Sequence, residues 1–128
     1  MTSGLHPGIL AMVATGCAAG GILRHLLQHV GGRIIPGYAA GTIVANIAGS
    51  FIAGFVLSRL HAFSPETRAL LLTGFLGGLT TMSSFALDMV VFIDARRFSF
   101  AAIYWLTGAV GCILACTAGV RVSRFLTF

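Results

Sequence analysis

Charge is the scarcest property of this 128-residue chain, with 8 basic and 3 acidic residues making up 9% of it, against roughly 25% in an ordinary soluble domain. A soluble fold of this size needs polar groups over much of its surface. The shortage excludes a soluble enzyme, and a hydrophobic content of 57% excludes a disordered chain. Lysine is absent altogether, and the arginines fall at 24, 33, 59, 68, 96, 97, 121 and 124. They are spread along the chain rather than gathered in one patch, so the net charge of +5 is no nucleic-acid footprint. Acid is rarer still, limited to Glu66, Asp88 and Asp94. No nucleophile–base–acid set, metal cluster or phosphate loop can be built from these residues, which argues against an enzyme. Cys17, Cys112 and Cys116 lie in apolar stretches without metal-type spacing. Their odd number argues against a disulfide framework, and they read as small packing residues.

What remains is an integral membrane protein. Crossing ~30 Å of hydrocarbon takes about 20 mostly apolar residues. Four stretches free of acidic and basic side chains, 2–23, 34–58, 69–87 and 98–120, reach about that length. The expected fold class is an all-α membrane protein with four transmembrane helices, at about 4–28, 34–60, 66–93 and 98–124, in one membrane domain over 1–128. Polar links separate them: Arg24, His25, Gln28, His29 and Arg33 in the first; Arg59, His61, Ser64, Pro65 and Glu66 in the second; Asp94, Arg96 and Arg97 in the third. Ser64 followed by Pro65 reads as a helix cap and first turn. The first stretch lacks a basic leader and is followed by three more, so it is expected to be a span and not a signal peptide. Long continuous apolar runs are not the ten-residue alternation of a β-barrel.

The arginines balance across such a chain. Arg59, Arg68, Arg121 and Arg124 fall on one side, and Arg24, Arg33, Arg96 and Arg97 on the other. The positive-inside rule has almost no bias to act on. Two copies inserted in opposite orientations could therefore pair as an antiparallel dimer; a single orientation set by other details is the alternative. Gly16/Gly20, Gly37/Gly41 and Gly74/Gly78 are small-residue pairs of the kind that lets helices approach closely in lipid.

The polar groups within the spans carry the functional signal. Thr42, Asn46 and Ser50 repeat every four residues on one face of the second span. They either join helices or line a pathway. The third span holds Gly74-Phe75-Leu76-Gly77-Gly78-Leu79-Thr80-Thr81-Met82-Ser83-Ser84-Phe85, a poor recipe for continuous helix. A break at membrane depth survives only inside protein or beside water, and it frees carbonyls for a hard cation or N–H groups for an anion; an intact glycine-rich packing helix is the alternative. Arg24 either snorkels to the interface or attracts anions at a vestibule. Asp88, near the end of the third span, is the single candidate for an intramembrane carboxylate. Hydroxyl and amide donors with arginine and almost no acid favour an anion over a cation. His6, His25, His29 and His61 sit near span ends and read as interfacial.

At these residues the chain resembles the bacterial fluoride channels, the Fluc family. The matching pieces are Gly20-Gly21-Ile22-Leu23-Arg24, Gly41-Thr42-Ile43-Val44-Ala45-Asn46-Ile47-Ala48-Gly49-Ser50-Phe51, and the glycine–hydroxyl run from Gly74 to Phe85. The resemblance implies a third helix broken mid-membrane and an antiparallel, dual-topology homodimer in the bacterial plasma membrane, passively exporting fluoride. It implies a structural Na⁺ at the dimer centre, held by backbone carbonyls of Gly77 and Thr80. It places Asn46 and Phe85 on the fluoride pathway, with Thr81, Ser83 and Ser84 in the polar track and Arg24 at the vestibule. Met82 stands where many members carry a second phenylalanine, and belongs to the same pathway. Tyr104 and Thr107 are the fourth-span candidates, with Cys112 and Thr117 weaker ones. The competing reading is a small multidrug exporter-like, proton-coupled transporter, which should carry a Glu in its first span; this chain has none there.

Overall fold

The computed structural model describes residues 6–126, so the expected start of the first span at residue 4 lies outside the described residues. Helix α1 runs Pro7–Ile34. Pro7 supplies the preset backbone of a first turn, and His6 Nδ1 accepts from Gly8 N at 3.4 Å. The polar segment 24–33, of which 24–28 fell inside the expected first helix and the rest beyond it, is helical throughout. Arg, Leu and Gln are good helix formers, and long polar side chains reach an interface without unwinding the backbone. What stops α1 is Pro36, which disfavours helical backbone in the residue before it; Ile35 has φ −129° and ψ 81°. Gly37 (φ 76°) and Ala39 (φ 54°) then turn the chain. Helix α2 therefore spans Ala40–Leu57 rather than starting at 34.

Ser64 caps the third span, accepting from Thr67 N at 3.2 Å, with Pro65 next in line. This span is two helices. Helix α3 (65–79) begins with one α turn, winds Ala69–Leu76 as π-helix and closes with Gly77–Leu79. Runs of i→i+5 bonds are rare and are found mostly at functional sites. Helix α4 is Met82–Asp94, and α5 is Phe98–Phe125. The α4–α5 turn is pinned by Arg97, whose Nη1 donates to Gly37 O at 3.0 Å while its guanidinium lies 3.9 Å from the Phe100 ring centre, a cation–π contact.

The described residues contain helices and no strand. Four helical stretches, Pro7–Ile34, Ala40–Leu57, Pro65–Asp94 and Phe98–Phe125, are long and apolar enough to cross a membrane. The chain is an all-α, multi-pass membrane protein. Its outer surface carries Ile22, Leu57, Trp105 and Ile113, each more than half exposed, as lipid contact requires.

Helix α1 packs along α3, and α2 along α5. Glycine makes both contacts backbone-close. A Cβ on Gly16 would lie 2.9 Å from Gly74 Cα, and one on Gly20 would run into Phe75 O. On the other pair, a Cβ on Gly54 would strike Cys116 O and one on Gly119 would strike Phe51 O. The buried core between α2, α4 and α5 is Ile43, Phe85, Phe92, Ala101 and Tyr104.

Candidate ion pathway at the helix break

The third span comes apart at two threonines. Thr80 has φ −85° and ψ 150°, and Thr81 has φ −152° and ψ 116°, both extended. The helical ladder ends where Thr80 N donates to Leu76 O at 2.9 Å. In an unbroken helix Thr81 N would donate to Gly77 O. It donates instead to Asn46 Oδ1 at 2.7 Å, and Asn46 Nδ2 donates back to Thr81 O at 3.1 Å. One side-chain amide from α2 thus pairs with both main-chain groups of Thr81, as a neighbouring strand would. This satisfies backbone that would otherwise be bare at membrane depth, where each unpaired group is costly. The Asn46 position in the second-span stripe is explained by this pairing.

The hydroxyls organise around the same point. Thr80 Oγ1 donates to Leu76 O at 2.9 Å. Thr81 Oγ1 caps α4, accepting from Ser84 N at 3.1 Å, and lies 3.1 Å from Ser83 Oγ and 3.2 Å from Ser84 Oγ. An N-cap of this kind stabilises by ~1 kcal/mol. Thr81→Ala is accordingly expected to lower stability by about 1 kcal/mol in a denaturation experiment, with Thr81→Ser restoring most of it. An unaltered midpoint for Thr81→Ala would show that the hydroxyl does not hold the helix start.

Beside the break lies an open groove of about 330 Å³, lined by Asn46, Ser50, Thr80, Thr81, Met82 and Cys112 together with small and apolar neighbours. The structure brings these sequence-read residues together and separates others. Met82 faces outward, 76% exposed, whereas Phe85, one turn on, is 7% exposed. The Phe85 ring stacks on Tyr104 with centroids 4.9 Å apart and an interplanar angle of 17°; a Cβ on Gly108 would collide with that ring. Gly77 is exposed, with open space where a Cβ would stand. Ser83 is exposed and Ser84 half-buried. Arg24 is half-buried on α1. Thr107 is exposed and its Oγ1 donates to Ile103 O at 2.7 Å, so within one chain it joins neither the groove nor the Tyr104 stack. Thr117 likewise bonds back to Ile113 O at 2.9 Å.

Two polar contacts escaped the reading of the sequence. Tyr104, fully buried, donates to Asp88 Oδ2 at 2.6 Å. The two residues lie on different helices, and no local spacing marks the pair. Gln28 Nε2 donates to Thr42 Oγ1 at 3.3 Å, and both line a small pocket of about 190 Å³ with Asp88. Gln28 stands four residues after Arg24 on the same helix, at the end of the expected first span.

The fold and its interrupted span thus define a class: a small membrane protein with a polar break held open between helices, the architecture of an ion pathway. Residues 11–120 match the family described as CrcB-like protein, Camphor Resistance (CrcB), and the chain belongs to that family. It is 40% identical over 122 residues to the Fluoride-specific ion channel FluC of Agrobacterium fabrum (strain C58 / ATCC 33970), covering 91% of this chain and 97% of the relative. It is 37% identical over 123 residues to the protein of the same name from Coxiella burnetii (strain CbuK_Q154), covering 90% and 97%. With Fluoride-specific ion channel FluC 1 of Staphylococcus aureus (strain bovine RF122 / ET3-1) the figures are 36% over 115 residues, 88% and 93%. This membership sets aside the multidrug-exporter reading.

Proposed function

We propose that this protein is a fluoride-selective ion channel, letting fluoride leave a bacterial cell down its gradient across the plasma (inner) membrane and so relieving fluoride toxicity. The observation that carries the reading is the Thr80–Thr81 break, clamped by Asn46 and bordered by a hydroxyl-rich groove. Fluoride is small and strongly hydrated, so a selective path must replace its water with closely spaced donors. Asn46 has two amide N–H groups; one is spent on Thr81 O, and the second is the proposed contact to the ion. The hydroxyls of Thr81, Ser83 and Ser84 continue the donor track. Phe85, whose ring edge is electropositive, extends it, and Tyr104 joins the pathway by backing the Phe85 ring. Met82 contributes a soft, bulky wall, Thr107 joins from the fourth span once a second copy is present, and Arg24 draws anions to the entrance.

The proposed assembly is an antiparallel homodimer in the lipid bilayer. Met82 is 76% exposed and Phe85 7% in one chain, so a pathway that encloses Met82 takes a second copy against the exposed groove. The four-to-four distribution of arginines supports opposite insertion. A structural Na⁺ fits the break: Gly77 O gives up its usual i+4 donor to Asn46, and Gly77 itself is exposed with nothing crowding it. Carbonyl oxygens are hard ligands suited to a hard cation. Gly77 O and Thr80 O of each copy would hold it. Such an ion supplies positive charge near the anion path and ties two breaks together.

Purified protein reconstituted in liposomes, followed with a fluoride electrode, tests the reading. Fluoride efflux far faster than chloride efflux is expected; no efflux, or equal rates for the two halides, overturns it.

A further inference from the structure

Two hydrogen bonds described above, Gln28 to Thr42 and Tyr104 to Asp88, belong to one chain. Tyr104 has a single hydroxyl hydrogen, and it goes to Asp88 Oδ2 at 2.6 Å. Thr42 is a hydrogen-bond neighbour of Tyr104 as well, so the hydrogen in that bond is the one on Thr42. Thr42 then has none left for Gln28 and can only accept from it. Gln28 has to present an N–H, as the 3.3 Å contact from Nε2 to Thr42 Oγ1 does. Every hydrogen therefore points one way, from Gln28 on α1 through Thr42 on α2 and Tyr104 on α5 to Asp88 on α4. Such a chain needs a donor at its head.

The packing of α1 on α2 puts Gln28 in reach. A Cβ on Gly41 would strike Gln28 Cα and Leu27 O, so the two backbones touch there, and the half-buried Gln28 side chain meets the next residue, the buried Thr42. Gln28 lines the small pocket with Asp88 and no part of the groove at the break. Further along the chain, the Tyr104 ring is stacked on Phe85 at 4.9 Å and meets Phe92 at 5.2 Å and Tyr38 at 5.8 Å edge-on. Apolar burial is non-directional. Hydrogen bonds weaken steeply off axis, so those at the Tyr104 hydroxyl set where the ring points.

We infer that Gln28 is a positioning residue: its N–H fixes the Thr42 hydroxyl, which holds the Tyr104 hydroxyl on Asp88 and so keeps the Tyr104 ring in place behind Phe85. The consequence for transport rests on the channel reading given above; the placement of Tyr104 does not.

The test uses the full chain, whose two tyrosines are Tyr38 and Tyr104. Labelling tyrosine Cζ with a stable carbon isotope gives one NMR signal for each in detergent, assigned with Tyr38→Phe, and that carbon responds to hydrogen bonding at the hydroxyl. Gln28→Met keeps the length and helix preference of the side chain and removes the donor. It is expected to shift the Tyr104 signal, as is Thr42→Val, which removes the hydroxyl. Gln28 acts through Thr42, so the double variant is expected to shift the signal no further than Thr42→Val alone. In liposomes, Gln28→Met is expected to slow fluoride efflux by about three- to tenfold, and to slow it no further on the Thr42→Val background. Gln28→Ala repeats the measurement without the bulk of methionine. A Tyr104 signal unmoved by both Gln28 variants, additive effects in the double variant, or efflux through Gln28→Met equal to that of the native protein would overturn the inference. Absence of efflux from the native protein would overturn the channel reading and leave the NMR comparison to decide the role of Gln28.

Discussion

Asn46→Asp is expected to cut fluoride efflux by about two orders of magnitude or more while leaving the chain inserted and helical. The carboxylate keeps the acceptor for Thr81 N, 2.7 Å away in the native pairing. It loses the donor to Thr81 O, at 3.1 Å, and sets negative charge against that carbonyl. A buried polar group left unpaired costs ~1–3 kcal/mol, more with charge, and each 1.4 kcal/mol is about tenfold in a rate. The charge also stands where an anion has to pass, so both effects act in one direction. Asn46→Leu separates them, since it removes both hydrogen bonds and adds no charge. Efflux through Asn46→Asp equal to that of the native protein would remove Asn46 from the path, whatever its role in the fold.

Gly20→Val is expected to damage the fold itself. A Cβ at Gly20 would run into Phe75 O and lie 2.8 Å from Leu79 N, both backbone atoms that cannot step aside like a side chain. Overpacking typically costs ~1–3 kcal/mol; with backbone as the obstacle, the upper end or beyond is expected. That corresponds to a fall of roughly 10 °C in the unfolding midpoint, with aggregated material in size-exclusion chromatography. Gly21→Ala is the control, because a Cβ there meets nothing within 4 Å, and it is expected to be nearly neutral. Equal behaviour of the two variants would mean that α1 and α3 are not packed backbone to backbone.

The parts of this architecture written in local chemistry were legible in the sequence. Apolar length gave four spanning segments, Ser64-Pro65 marked a helix start, and the glycines and hydroxyls from Gly74 to Ser84 pointed to a break. The break's exact seat at Thr80 and Thr81 was not local. It is decided by Asn46, 35 residues away along the chain, whose amide can pair with a single peptide unit. The first helix was expected to end near residue 28 because the polar residues from Arg24 to Arg33 look like loop composition. Their backbone preference is helical, and only Pro36 forces the chain to turn. Nothing in Ala69–Leu76 announces π winding; an apolar, leucine-rich segment suits α-helix equally. The Tyr104–Asp88 bond joins two residues visible separately, but their juxtaposition depends on how α4 and α5 cross.

The double hydrogen bond between Asn46 and Thr81 has one more implication. Both main-chain groups of Thr81 are taken up by a residue seated on a neighbouring helix, and Thr80 is bonded on its own side to Leu76. A kink fastened in this way resists straightening, since a continuous helix would have to give up both Asn46 hydrogen bonds and leave its amide bare between helices.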